Sequence, residues 1–180
     1  MSTFFDIDCG GETVTIERTD DGDFIFHGWD EETELAAVEL GFEPSACLIV
    51  WNAINDDRIN DKLFRQSRIG DSVAVQALLF VGASVDARDE LGWSPLHTAA
   101  LNGRVDVVNI LLSAGAYPNI KSYKGMTPLQ KAAWDGHADV AQILLDAGAK
   151  VDTEALRAAT QNGHTNVVKI LRAWTAEHEK

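Results

Sequence analysis

The side chains that could do chemistry in this chain are five histidines, two cysteines and the carboxylates of Asp20, Asp21 and Asp23. Cys9 or Cys47 with His27 could supply a thiolate and its base, the pair that nucleophilic catalysis needs. One histidine within residues 1–55 leaves little room, however, for a pocket with groups that hold such a pair in place. The run Asp20-Asp21-Gly22-Asp23 has the composition of a calcium loop, but such a loop spaces its acids at alternating positions, and here they cluster around a glycine. It is read as a hairpin turn. Two isolated cysteines suit buried, reduced thiols better than a disulfide framework or a zinc site. There is no phosphate loop, no G-x-S-x-G elbow, no HExxH helix and no dinucleotide fingerprint. The expectation is a protein that is no enzyme, with no metal, no cofactor and no small-molecule substrate.

What organises the rest of the chain is a repeat. Gly92 and Gly125 lie 33 apart (125−92), as do Gly103 and Gly136 (136−103). DELGWSPLHTAALNGRVDVVNILLSAGAYPNIK from Asp89 aligns with SYKGMTPLQKAAWDGHADVAQILLDAGAKVD from Ser122, with Gly, Pro, Leu, paired Ala, Gly, Val and paired Leu in register. The unit resembles the ankyrin repeat, a turn and two helices with a T-P-L-H-x-A signature. Gly70, Leu63, Leu78-Leu79 and Gly82-Ala83 extend the frame backwards, with Gln66-Ser67 where the others carry paired Ala. Leu156, Ala159, Gly163, Val167-Val168 and Ile170-Leu171 extend it forwards, but Gly136 to Gly163 is only 27 (163−136), so about one finger is missing. The expected fold is mainly α, an ankyrin solenoid of about four units, 56–88, 89–121, 122–152 and 153–180, both terminal units atypical. The resemblance makes His97, His137 and His164 structural.

Each shared residue has a physical use. Ser94 and Thr127 can cap helices whose first position is Pro95 or Pro128, where no amide donor is needed. Ala99-Ala100 and Ala132-Ala133 let neighbouring helices approach closely. Val107, Val108, Leu111 and Leu112 make an apolar stripe that a single helix pair cannot cover and that stacking does cover.

Residues 1–60 carry 15 acids against Arg18 and Arg58, and the remainder is balanced, so the whole net charge of −13 lies in the N-terminal third. Nucleic acid and anionic membrane are poor partners for such a chain. A basic protein suits it better. Alternating Phe5, Ile7, Cys9 and Val14, Ile16, then Phe24 to Trp29, separated by Gly10-Gly11 and Asp21-Gly22, predict a three-stranded meander. Two short helices should follow, although residues 45–52 read equally as a buried strand. Residues 1–55 are thus expected to form a small acidic α+β block that caps the solenoid. No 18-residue apolar run and no basic-then-apolar leader is present, so the cytoplasm is the expected location.

Ankyrin proteins hold protein partners on their fingertips and on the concave side of the first helices. Carried onto this sequence, the resemblance implies contacts from Arg68 and Ile69, from Glu90, Leu91, Trp93, Leu101 and Asn102, from Tyr123, Lys124, Met126, Trp134 and Asp135, and from Gln161 and Asn162. Trp93, Leu101, Tyr123, Met126 and Trp134 are large apolar residues where solvent should reach them, the mark of an interaction surface. The implied function is a binding module gripping a protein in its groove. It looks like an immunity or inhibitor protein that neutralises a basic toxin or effector, with an adaptor joining two clients as the alternative.

Overall fold

A computed structural model describes residues 3–8, 13–18, 24–27, 58–80 and 82–178. Eight helices follow one another in these residues: α1 (Ile59–Ile69), α2 (Ser72–Phe80), α3 (Pro95–Leu101), α4 (Val105–Ser113), α5 (Pro128–Asp135), α6 (Ala138–Asp146), α7 (Thr153–Gln161) and α8 (Thr165–His178). The odd-numbered helices pack in one row, α1 on α3 on α5 on α7, and the even-numbered helices pack in a second, α2 on α4 on α6 on α8. Each pair also packs on itself. This is the mainly helical, stacked solenoid that the 33-residue frame predicts.

Local chemistry fixes where the helices start. Ser94 and Thr127 are extended, their hydroxyls accept the amides of His97 and Gln130, and the His97 and Gln130 side chains return a bond to the cap amides. Two reciprocal capping boxes result, each with Pro at the first turn. Asp152 caps α7 alone, accepting from the Ala155 amide.

The core lies between the two rows. Leu63, Leu78, Leu96, Leu111, Leu129, Leu144, Leu145 and Leu171 are fully buried, as are Ala99, Ala100, Ala132, Ala133 and Ala159. Small side chains at these positions let the first helices approach closely, with Ala99, Ala100, Ala132 and Ala133 on helices that have a sister helix on both sides. α1 departs from the rule: Ser67 stands in the frame of Ala100 (100−67 is 33), is fully buried, and its hydroxyl has no partner among the described residues. A buried hydroxyl without a bond costs roughly 1–3 kcal/mol. Ser67→Ala should therefore stabilise the protein by about 1 kcal/mol, read as a higher urea midpoint at unchanged slope.

Among the described N-terminal residues are three short antiparallel strands, β1 (Thr3–Asp8), β2 (Thr13–Arg18) and β3 (Phe24–His27), in the order β1-β2-β3, with Phe5 opposite Ile16 and Ile16 opposite Phe26. Three such strands alone do not make the α+β block expected for residues 1–55. The two helices expected after them, and the choice between helix and strand at 45–52, lie outside the described residues.

Candidate functional site

The loops before α3 and α5 project as fingers beside the first-helix row, and backbone chemistry holds them together. Asp89 accepts from the amides of Leu91 and Trp93 through one carboxylate oxygen, at 2.9 and 2.8 Å. The Tyr123 amide donates to the Leu91 carbonyl at 3.1 Å, joining one finger to the next. Arg88 donates to the carbonyls of Gly92 and Lys121, at 3.0 and 2.7 Å. A second set of bonds ties the ends of the first helices together: Arg104 donates to the Arg68 carbonyl at 3.0 Å, and the Nε2 atoms of His137 and His164 reach the carbonyls of Leu101 and Trp134 at 2.9 and 2.8 Å. Fingers and first helices thus form one firm wall.

Of the five large apolar residues expected in the open, Tyr123 is 72% exposed and Trp134 50%. Trp93, Leu101 and Met126 are half-buried, so less of each meets solvent than of Tyr123 and Trp134. Trp93 is partly covered because the Lys131 ammonium sits 4.0 Å from its ring centroid and His97 stacks at 6.3 Å. Leu91 and Ile69 are exposed at 54% and 51%, and Arg68, Glu90, Lys124, Asp135, Gln161 and Asn162 are exposed as well. Asn102 is half-buried because it turns back to the Thr98 carbonyl at 2.8 Å. The Asn162 amide is similarly engaged, donating to the Trp134 carbonyl at 3.0 Å.

Between α1, α3 and the first finger lies a cleft of about 420 Å³, lined by Phe64, Arg65, Arg68, Leu91, Trp93 and Leu101 among others. The sequence reading omitted Phe64, Arg65 and Lys131. For Arg65 and Lys131 the signal was present, since Arg65, Thr98 and Lys131 share one frame position (98−65 and 131−98 are both 33), as do Arg68, Leu101 and Trp134. One turn earlier on the same helices, that position also faces the groove.

His97 is fully buried beneath this wall. Its Nδ1 accepts from the Ser94 amide at 3.0 Å, and its Nε2 donates to the Met126 carbonyl at 2.8 Å, so the ring bridges two units as a neutral imidazole. Burial, helped by Lys131 and Arg88, outweighs the Met126 carbonyl and Asp89 and holds its pKa below the ordinary 6.5. The unfolded chain then takes up a proton near pH 6.5 that the folded chain refuses, so this contribution is complete above that pH and is lost as pH falls toward the folded value. Gln130 shows that glutamine makes the same box, its Nε2 reaching Asp152 at 2.6 Å. His97→Gln should accordingly flatten the fall in melting temperature between pH 7 and pH 5. Equal slopes in both proteins would mean that the folded imidazole accepts the proton.

The model of ankyrin repeats, in three copies, matches residues 63–155, just over half of the chain. The chain belongs to the ankyrin-repeat family. An ankyrin repeat protein of Rickettsia felis is 33% identical over 63 residues, 35% of this chain and all of that protein. Over 58 residues, 32% of this chain, it is 45% identical to the mouse (Mus musculus) 2-5A-dependent ribonuclease, and over 53 residues, 29% of this chain, 40% identical to the VAPYRIN-LIKE protein of Medicago truncatula. Those alignments span 8% of the ribonuclease and 11% of the plant protein. Ankyrin repeats are generally protein-binding modules, and the family is typically non-catalytic. No helix among the described residues is long and apolar enough to cross a membrane.

Proposed function

We propose that this ankyrin protein is a non-catalytic module that grips a partner protein between its fingers and its first helices. The observation that carries the reading is the row of large side chains on a firm wall, with Tyr123, Leu91, Ile69 and Trp134 each at least half exposed. Exposed apolar rows of this kind are where a partner excludes water, and Trp and Tyr are the commonest anchors. A preformed groove also loses little freedom on association, which favours tight binding without any reaction. Glu90, Lys124 and Asp135 then select orientation.

In its sharper form the partner is a basic toxin or effector that the protein neutralises in the cytoplasm. The support is the net −13 of residues 1–60, which would speed approach to a basic surface and weaken in salt. A second reading, an adaptor for two clients, draws support from the contrast between the acidic residues 1–60 and the charge-balanced remainder, since surfaces of unlike charge suit different partners. In either case the N-terminal residues serve as a cap or as a second binding surface.

The test pairs Tyr123→Ala with Trp134→Ala. A partner captured by the wild-type chain, identified and purified, should bind the double variant about 100-fold or more weakly by calorimetry, at roughly 2 kcal/mol per buried anchor. Unchanged affinity in a variant that melts normally would eliminate the groove.

A further inference from the structure

Two groups cover Trp93, and they differ in how they are held. His97 stacks on the ring at 6.3 Å and is fixed by its bonds to the Ser94 amide and the Met126 carbonyl. The Lys131 ammonium lies 4.0 Å from the ring centroid and has no hydrogen bond or ion pair among the described residues. Only the lysine can leave without breaking a bond. A second seat stands one turn away, because Asp135 lies four residues on along α5, is exposed, and likewise has no ion pair among the described residues. Residues at that spacing are neighbours on a helix surface.

The two seats are closely matched. Loss of water holds the Lys131 pKa below the ordinary 10.5, Asp135 pulls the other way, and Lys124 adds to the push. The ammonium thus gives up hydration at Trp93 that it would keep beside the exposed Asp135. A cation on a partly exposed ring face is favoured about twofold to fivefold over a free one, and an i,i+4 ion pair on a helix about twofold. We propose that Lys131 is a movable cover, which leaves Trp93 for the Asp135 carboxylate when a partner's side chain takes its place on the ring. The proposal rests on the groove reading above and gives that groove a covered and a bare state. With those preferences the ring is covered roughly 40–60% of the time, and a partner that needs it bare binds about two- to threefold more weakly than it would to a ring always open.

Lysine labelled with carbon-13 at Cε reads the cover by NMR in the full chain with no partner present. The ring current of Trp93 should displace the Lys131 methylene signal, assigned as the one lost in Lys131→Arg, upfield of the other lysines. Asp135→Asn deletes the second seat and should enlarge that displacement about 1.3- to 1.7-fold. Asp135 is exposed, so folding is not at stake. An unchanged displacement, or none in the wild type, would overturn the cover and leave the groove reading untouched. Random 16-residue peptides displayed on phage, panned on the full chain and sorted for loss of binding to Trp93→Ala, supply a probe of the bare state. Such a peptide should return the Lys131 signal to the position of the other lysines. It should bind Lys131→Ala roughly two- to threefold more tightly and Asp135→Asn about twofold more weakly, the second effect vanishing where Lys131 is already Ala. Weaker binding to Lys131→Ala would make the lysine a contact and overturn the cover. Peptides that need Tyr123 and Trp134 but not Trp93 would overturn it with the groove intact, and no enrichment, or peptides indifferent to all three, would overturn both.

Discussion

Leu111→Ala is expected to cost about 2–5 kcal/mol, the usual range for emptying a leucine site that cannot collapse. Leu111 is fully buried on α4, which packs against α2 on one side, α6 on the other and α3 beneath. A cavity there faces two neighbouring units at once, and the small Ala99 and Ala100 of α3 have no longer side chain to fill it. Some 120 residues of repeat hold roughly 6–18 kcal/mol at the usual 0.05–0.15 kcal/mol per residue. The change therefore removes a large share of the total, and in a chain of nearest-neighbour contacts it also weakens the coupling between halves. Urea unfolding should show a lower midpoint, with a broadened or split transition. Ile110→Ala, at a half-buried position one residue earlier, is the control, with a cost of about 1–2 kcal/mol. Equal losses at the two sites would contradict the packing described here.

Gly103→Ala should be nearly as damaging although it adds a single methyl. Gly103 has φ of 65°, the left-handed region that costs a side chain roughly 1–2 kcal/mol. A β-carbon there would lie 2.6 Å from Nδ1 of His137, so the ring must leave and its bond to the Leu101 carbonyl goes with it. That bond contributes roughly 0.5–1.5 kcal/mol. Together the expected cost is about 1.5–3.5 kcal/mol. A double-mutant cycle separates the two causes: in a His137→Ala background, Gly103→Ala should cost only the backbone part. An undiminished cost in that background would show that the imidazole plays no part.

The solenoid was legible because many weak signals agree at one period. Pro95, Ala99-Ala100, Leu111 and the glycines each reflect a local need, and repetition at 33 residues multiplies their weight. The groove was less legible. Exposure of Trp93 depends on a cation from the next unit, Lys131, and on a histidine beneath it, and no single-unit pattern contains that contact. Arg65 was overlooked for a related reason: an arginine on a helix face reads as a solvated surface residue until a neighbour supplies the opposite wall. Ser67 shows the reverse case, since its place in the alanine frame marked it as an oddity and burial turned that oddity into an unpaired hydroxyl. Residues 28–57 offered short apolar runs with no repeat to set their frame.

One joint between repeats has a further outcome. Fourteen residues, 81–94, separate α2 from α3, and 114–127 separate α4 from α5, whereas 147–152 alone join α6 to α7. The palisade of loops therefore stops after the third pair, and the last helices stand beside an unfenced margin. A partner lying along the wall would meet no finger at that margin, near Thr153, and its contacts there would come from the helices alone.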